Sequence, residues 1–186
     1  MYTNHEHKLV FLHNPRTAGK SIVTALKGIF NDTRQGYIRH DCIYEWPGYE
    51  CLTVLRNPWD QVRSMYNFYK TVSIKAILTS FHKEGSINEI KEDFLWSRED
   101  LDRFVLFYEK YIPSQDDFLF NSSNHLVFEN LRVGWENFCK QRDYQYESLE
   151  ETHKSEQIKD EEFSPKSLNL IYERNRFSIN LLNYTP

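Results

Sequence analysis

Three short apolar runs, each leading through a turn into a helix-spaced pattern, constrain this chain more than any other feature. "KLVFLH", "ECLTVLR" and "NHLVFEN" have the length of buried strands rather than helices. The first runs through a Pro- and Gly-containing turn into "GKSIVTALKGIF", where Ile22, Ala25, Leu26 and Ile29 fall at helical spacing. The second is followed by "NPWDQVRSMYNFY", with Asn57 as expected N-cap, Pro58 at the first helical position, and Trp59, Val62, Tyr66 and Tyr69 as the apolar stripe. Ser64 lies off that stripe, where it is available to a ligand. The third leads into "LRVGWENFCKQRD". Strands alternating with helices imply an α/β layer fold with a mainly parallel sheet.

The rest of the chain fits one domain spanning residues 1–186. A polar helical insert is expected around residues 71–115. Ser164 as N-cap and Pro165 at the first helical position open a long amphipathic helix that closes the chain. The "HEH" near the N-terminus reads as a solvated tail. No apolar run approaches the roughly 18 residues a membrane span needs, and the N-terminus lacks the pattern of a signal peptide. The cysteines Cys42, Cys51 and Cys139 follow no metal-binding or disulfide spacing, as in a reducing compartment. A cytoplasmic protein without a metal is therefore expected. A net charge of −4 without a Lys/Arg run argues against a nucleic-acid or membrane footprint. It leaves room for a few cations focused on one small anion.

Two stretches at strand ends supply such cations. Ligands of open α/β sheets bind beyond the carboxyl ends of the strands, where "HNPRTAGKS" and "RNPWDQVRS" both lie. In the first, Arg16, Thr17, Ala18, Gly19, Lys20 and Ser21 surround a helix N-terminus whose N–H groups favour anions. Gly19 permits close backbone approach, and Thr17 and Ser21 add hydroxyls. The stretch resembles the nucleotide loop G-x-x-x-x-G-K-[ST], with Asn14 in place of the first glycine. An ATPase or kinase also needs an apolar strand ending in aspartate to hold Mg²⁺. Here "ECLTVLR" ends in Arg56, and "HLVFE" ends in Glu129. In the second stretch, Arg56 at a strand end and Ser64 eight residues later form a fork and hydroxyl suited to a phosphate monoester.

Taken together, "NPRTAGKSI" and "VLRNPWDQVRSMY" resemble the two cofactor loops of sulfotransferases that use 3′-phosphoadenosine-5′-phosphosulfate (PAPS). The second is most similar to the carbohydrate branch, which includes heparan sulfate 2-O-sulfotransferase-like members. "RHDCIYEWPGYECLTVLRNP", "LVFENLRVGWENFC", "THKS" and the final "LLNY" continue the likeness along nearly the whole chain. The resemblance implies a P-loop-NTPase-like three-layer fold and transfer of a sulfuryl group from PAPS to an acceptor hydroxyl, leaving PAP. It assigns the 5′-phosphosulfate to the first loop, the 3′-phosphate to Arg56 and Ser64, and the general base to His40; His13, close after the first strand, is the reserve candidate by position, with a structural role as its first reading. The acceptor implied is a glycan or a small hydroxyl compound. Tyr66, Tyr69, Phe81 and Trp96 are of a type that stacks on a sugar or purine, although aromatic residues in such numbers are more often core.

Three residues depart from the family pattern. Arg16 stands where the family usually has a catalytic lysine, Lys20 where threonine or serine is usual, and Ser178 near a common aspartate. Arginine is always protonated and is a poor proton donor, so Arg16 and Lys20 are expected to share the lysine's work on the leaving group. Two alternatives stay open: a P-loop-like ATP-dependent kinase, and a non-catalytic nucleotide- or glycan-binding relative.

Overall fold

The computed structural model describes residues 2–29, 47–72, 87–150 and 161–186; the side chains of 27–29 and 87–89 lie outside that description. In chain order the elements are β1 (Tyr2–Asn4), β2 (Leu9–Leu12), α1 (Gly19–Ile29), β3 (Glu50–Leu55), α2 (Pro58–Thr71), α3 (Ile87–Ser97), α4 (Leu101–Tyr111), α5 (Gln115–Phe120), β4 (Asn124–Val127), α6 (Leu131–Gln141), α7 (Pro165–Arg174) and α8 (Arg176–Leu182), with a 3₁₀ turn at Phe128–Asn130. Contacts divide the chain into two compact units. The first is Met1–Arg56 with Asp117–Lys154, and the second is Asn57–Asp116 with Ser155–Pro186.

The first unit is α/β, built on an open four-stranded sheet of order β1-β2-β3-β4. β2 runs parallel to β3 and β3 to β4, while β1 is antiparallel to β2. The three apolar runs are thus the three parallel strands. Every residue of β2, and every residue of β3 after Glu50, is buried, as parallel strands covered on both faces require. Leu9, Phe11, Leu52, Val54 and Leu126 pack with Ile22, Val23, Ala25 and Leu26 of α1 and with Trp135, Phe138 and Cys139 of α6. Val10, Leu12 and Cys51 cluster instead with Phe118 of α5. Strand alternation separates the two sets. Cys51 and Cys139 are free buried thiols, and burial pushes Cys139 up to about 11.

The second unit is helical around an aromatic core. Asn57 caps α2 as expected, accepting from Trp59 N at 3.1 Å and Asp60 N at 3.4 Å. The stripe Trp59, Val62, Tyr66 and Tyr69 packs with Phe94, Phe104, Phe107 and Tyr108. Tyr69 meets Phe104 edge to face at 5.4 Å, a favoured aromatic geometry.

Three details depart from the expectations. The N-terminal residues are half of a hairpin, with only the turn residues His5, Glu6, His7 and Lys8 exposed. The insert is amphipathic rather than simply polar, with Ile90, Phe94, Phe104, Val105, Phe107 and Tyr108 in the core. The closing helix is two helices, broken at Asn175, whose side chain is fully buried. Its Oδ1 accepts from Gln115 N at 2.8 Å, and its Nδ2 donates to Ile171 O at 2.8 Å. Asp116 then accepts from Phe177 N and Ser178 N, both at 2.8 Å, starting α8 afresh. A side chain offering the backbone other partners breaks a helix that its apolar spacing would continue. Among the described residues no helix is long and apolar enough to cross a membrane.

Candidate functional site

The turn from β2 into α1 is tied down before any ligand is considered. Asn14, at the position of the missing glycine, is fully buried. Its Nδ2 donates to Val54 O at 2.9 Å, its N–H to Leu12 O at 2.9 Å, and its carbonyl accepts from Thr17 Oγ1 at 2.8 Å. Asn14 therefore clamps the turn to the end of the neighbouring parallel strand, work no glycine side chain could do. Thr17 is also fully buried, and its hydroxyl serves the turn itself; what it can offer a ligand is its N–H.

Between and beside these anchors the backbone is strained. Arg16 and Ala18 both lie in the left-handed region, at φ 59° and 60°. Each such non-glycine residue costs about 1–3 kcal/mol, and such outliers cluster at ligand clamps and active sites. Alternation of left-handed and other conformations turns successive N–H groups into a concavity that suits anions. The glycine in the turn is needed for a different reason. A Cβ on Gly19 would lie 1.8 Å from His13 Cδ2, so the His13 ring occupies the space a side chain would take. That ring also stacks on Phe11 at 6.0 Å.

The electrostatics all carry one sign. Residues 13–21 include no acid, and α1 has none in its first turn to offset its positive end. Arg16 is half-buried and Lys20 exposed. Arg56 NH1 donates to Arg16 O at 3.1 Å, and its guanidinium lies 4.4 Å above the Phe128 ring. Arg56 thus braces the strained residue from the end of β3. Ser21 is buried beside the helix start.

The remaining predicted site residues belong to the second unit or lie outside the described residues. Ser64 belongs to the second unit and is buried on α2, a helix that also buries Gln61, Met65 and Asn67 away from its apolar stripe. His40, Phe81 and the "THKS" stretch lie outside the described residues. Tyr66 and Tyr69 are core, whereas Trp96 is exposed beneath the Arg103 guanidinium at 5.2 Å. Ser178 is buried, donating to Asn175 O at 3.0 Å and accepting from Gln115 Nε2 at 3.3 Å, a structural position. No group of three or more His, Cys, Asp or Glu among the described residues could hold a metal ion.

Sequence reasoning missed the Asn14 clamp and the seat of His13 on Gly19. The signal for the first was present: Asn before Pro favours turns in which its side chain bonds nearby backbone. The chain was compared with protein-family models, with curated proteins and with solved structures, and nothing matches it.

Proposed function

We propose that this chain is a PAPS-dependent sulfotransferase of P-loop-NTPase-like fold, acting on an acceptor hydroxyl of a saccharide. The observation that carries the proposal is the acid-free turn with Arg16 and Ala18 both left-handed at a strand-to-helix junction. Backbone outliers of this kind cluster at ligand clamps and active sites. The donor set fits the anionic 5′ end of a sulfonucleotide: backbone N–H groups, Arg16 and Lys20, with no carboxylate among residues 13–21.

PAPS supplies an activated sulfuryl group whose transfer leaves a phosphate. The turn would hold that phosphate end and stabilise the charge developing on it, which is positioning and electrostatics rather than covalent work. Arg16, permanently protonated, stabilises charge; Lys20, exposed one residue into α1, shares that duty. Arg56 and Ser64 are the residues the sequence motif assigns to the 3′-phosphate. His40 is the proposed acceptor of the hydroxyl proton, a role typically worth ~10²–10⁴-fold in rate.

Thermal shift tests the binding step. PAP should raise the melting temperature more than Mg²⁺–ATP, and the shift should vanish in Arg16→Ala with Lys20→Ala. A preference for Mg²⁺–ATP sinks the proposal in favour of a kinase. Transfer of labelled sulfuryl from PAPS to a sugar panel then tests catalysis. His40→Ala should abolish transfer while leaving PAP affinity alone. Tight PAP binding with no transfer to any acceptor would mark a non-catalytic relative.

A further inference from the structure

Glycine in a strand-to-helix turn ordinarily lets a ligand approach the backbone. In this chain a side chain of the protein itself makes that approach. Alternation along β2 puts Leu9 and Phe11 on the side that packs with α1, and His13 continues that side one step beyond the strand. Its ring stacks on Phe11 with an angle of 23° between the planes, and the Tyr2 ring of β1 lies 6.4 Å away.

The other edge of the imidazole rests on Gly19, the first residue of α1. A Cβ there would sit 1.8 Å from Cδ2, 2.0 Å from Nε2 and 2.8 Å from Cγ. Three atoms of a rigid ring, not the tip of a flexible chain, fill the place. The Cα–Cβ bonds of a helix tilt toward its N-terminus. A group in the Cβ place of the first residue therefore props the helix at the end where its N–H groups lack intrahelical partners.

We propose that His13 is a positioning residue of the anion turn: its ring, seated on Gly19, sets where α1 begins and so where the first N–H groups of α1 stand. This role rests on the turn being the phosphate site proposed for PAPS, and it acts through Gly19 rather than through the reacting atoms. It completes a pattern in the turn. Asn14 is tied to Val54 O and Arg16 O is braced by Arg56, both from β3 or its end, and His13 sets the helix end from β2. Placement at this scale matters, since a displacement of about 1 Å can cost about 10²-fold in rate. A methyl at position 19 would have to part from the ring by about 1 Å or more before the contact reached 3.0 Å.

Calorimetric titration of the full chain with PAP, well below the melting temperature, reads the placement of the turn separately from stability. Gly19→Ala should weaken PAP binding by at least about tenfold, and so should His13→Ala, which removes the prop without a clash. Both changes act on one contact, so the double variant should bind no more weakly than the weaker single, whereas independent losses would multiply. Urea denaturation shows that each titrated protein is folded, and His13→Ala decides the matter if Gly19→Ala does not fold. PAP bound by His13→Ala as tightly as by the wild type, or losses that multiply in the double variant, overturn the positioning role and leave the sulfotransferase proposal standing. Pyrophosphate, an anionic end without the nucleoside, separates the reverse case. A wild type that ignores PAP but binds pyrophosphate, tenfold more weakly after His13→Ala, overturns the sulfotransferase proposal and keeps the positioning role. Binding of neither overturns both.

Discussion

The two units bury polar groups for opposite ends. In the second, buried polar side chains satisfy breaks in helices: Asn175 and Asp116 end one helix and start the next, and Arg174 donates to Tyr108 O at 2.6 Å and Ile112 O at 2.9 Å. In the first, they hold a turn in a conformation it would not choose. Asn14, Thr17 and Arg56 bond around Arg16 and Ala18, both left-handed. Both networks are well satisfied, but only one stores strain. The difference marks where a test for function belongs: polar bonding that relieves a helix end is complete in itself, whereas strained residues held by surrounding groups cluster at ligand clamps and active sites.

The largest expected effects test whether both units are packed cores. Phe104 and Trp135 are fully buried, one in each unit. Phe104→Ala and Trp135→Ala should each cost about 3–5 kcal/mol, read from urea denaturation. A loss under about 1 kcal/mol at either site would mean that unit is not close-packed around that ring.

Next comes the clamp. Asn14→Gly restores the letter of a nucleotide loop yet removes the bond to Val54 O. It should lower stability by about 1–3 kcal/mol and weaken PAP binding in calorimetry. Tighter PAP binding in the glycine variant would show that the clamp is not what shapes the turn.

The matching change in the second unit is Asp116→Ala, which strips the start of α8 of its carboxylate acceptor. Loss of such a cap costs about 0.5–2 kcal/mol. The contrast lies in binding: this variant should melt earlier but keep the wild-type response to PAP, whereas Asn14→Gly loses both.

The smallest effect is acid sensitivity of the second unit. Hydrogen bonds from Lys110 and Tyr111 hold Asp93 below its ordinary 3.8. Burial alone would raise Asp102 and Glu161, but hydrogen bonds from Ser167 and Ser164, and from Lys70 and Tyr66, outweigh it and lower both. A carboxylate lowered in the folded state stabilises above its unfolded pKa and loses that contribution as pH falls through the folded one. Stability should thus be level above about pH 5 and decline below the ordinary values of 3.8 and 4.5. Glu161→Gln should flatten that decline in near-ultraviolet circular dichroism, and an unchanged acid limb would remove Glu161 from the account.

Much of the fold was legible because its signals are local. A continuous apolar run announces a strand buried on both faces, and Asn57-Pro58 and Ser164-Pro165 announce helix starts. β1 escaped because three residues paired across a hairpin carry too little periodicity to register. The break at Asn175 escaped because its partners, Gln115 and Tyr108, lie some sixty residues away in sequence. At the candidate site, the cations and the absence of acids were plain. The burial of Ser64 was not, since α2 is covered on more sides than its stripe suggested.

What the sequence by itself determined is the strand–turn–helix order, the parallel strands and the sign of charge at the first turn, because these follow from short-range periodicity and composition. Tertiary structure decided what each turn residue does. Whether Asn14 is a damaged glycine or a clamp depends on the carbonyl of Val54, forty residues away and set beside it by the parallel register of β2 and β3. Left-handed Arg16 is likewise held by Arg56 from the end of that neighbouring strand. Strain persists only where distant groups over-determine it, and a linear chain does not show which distant groups will meet.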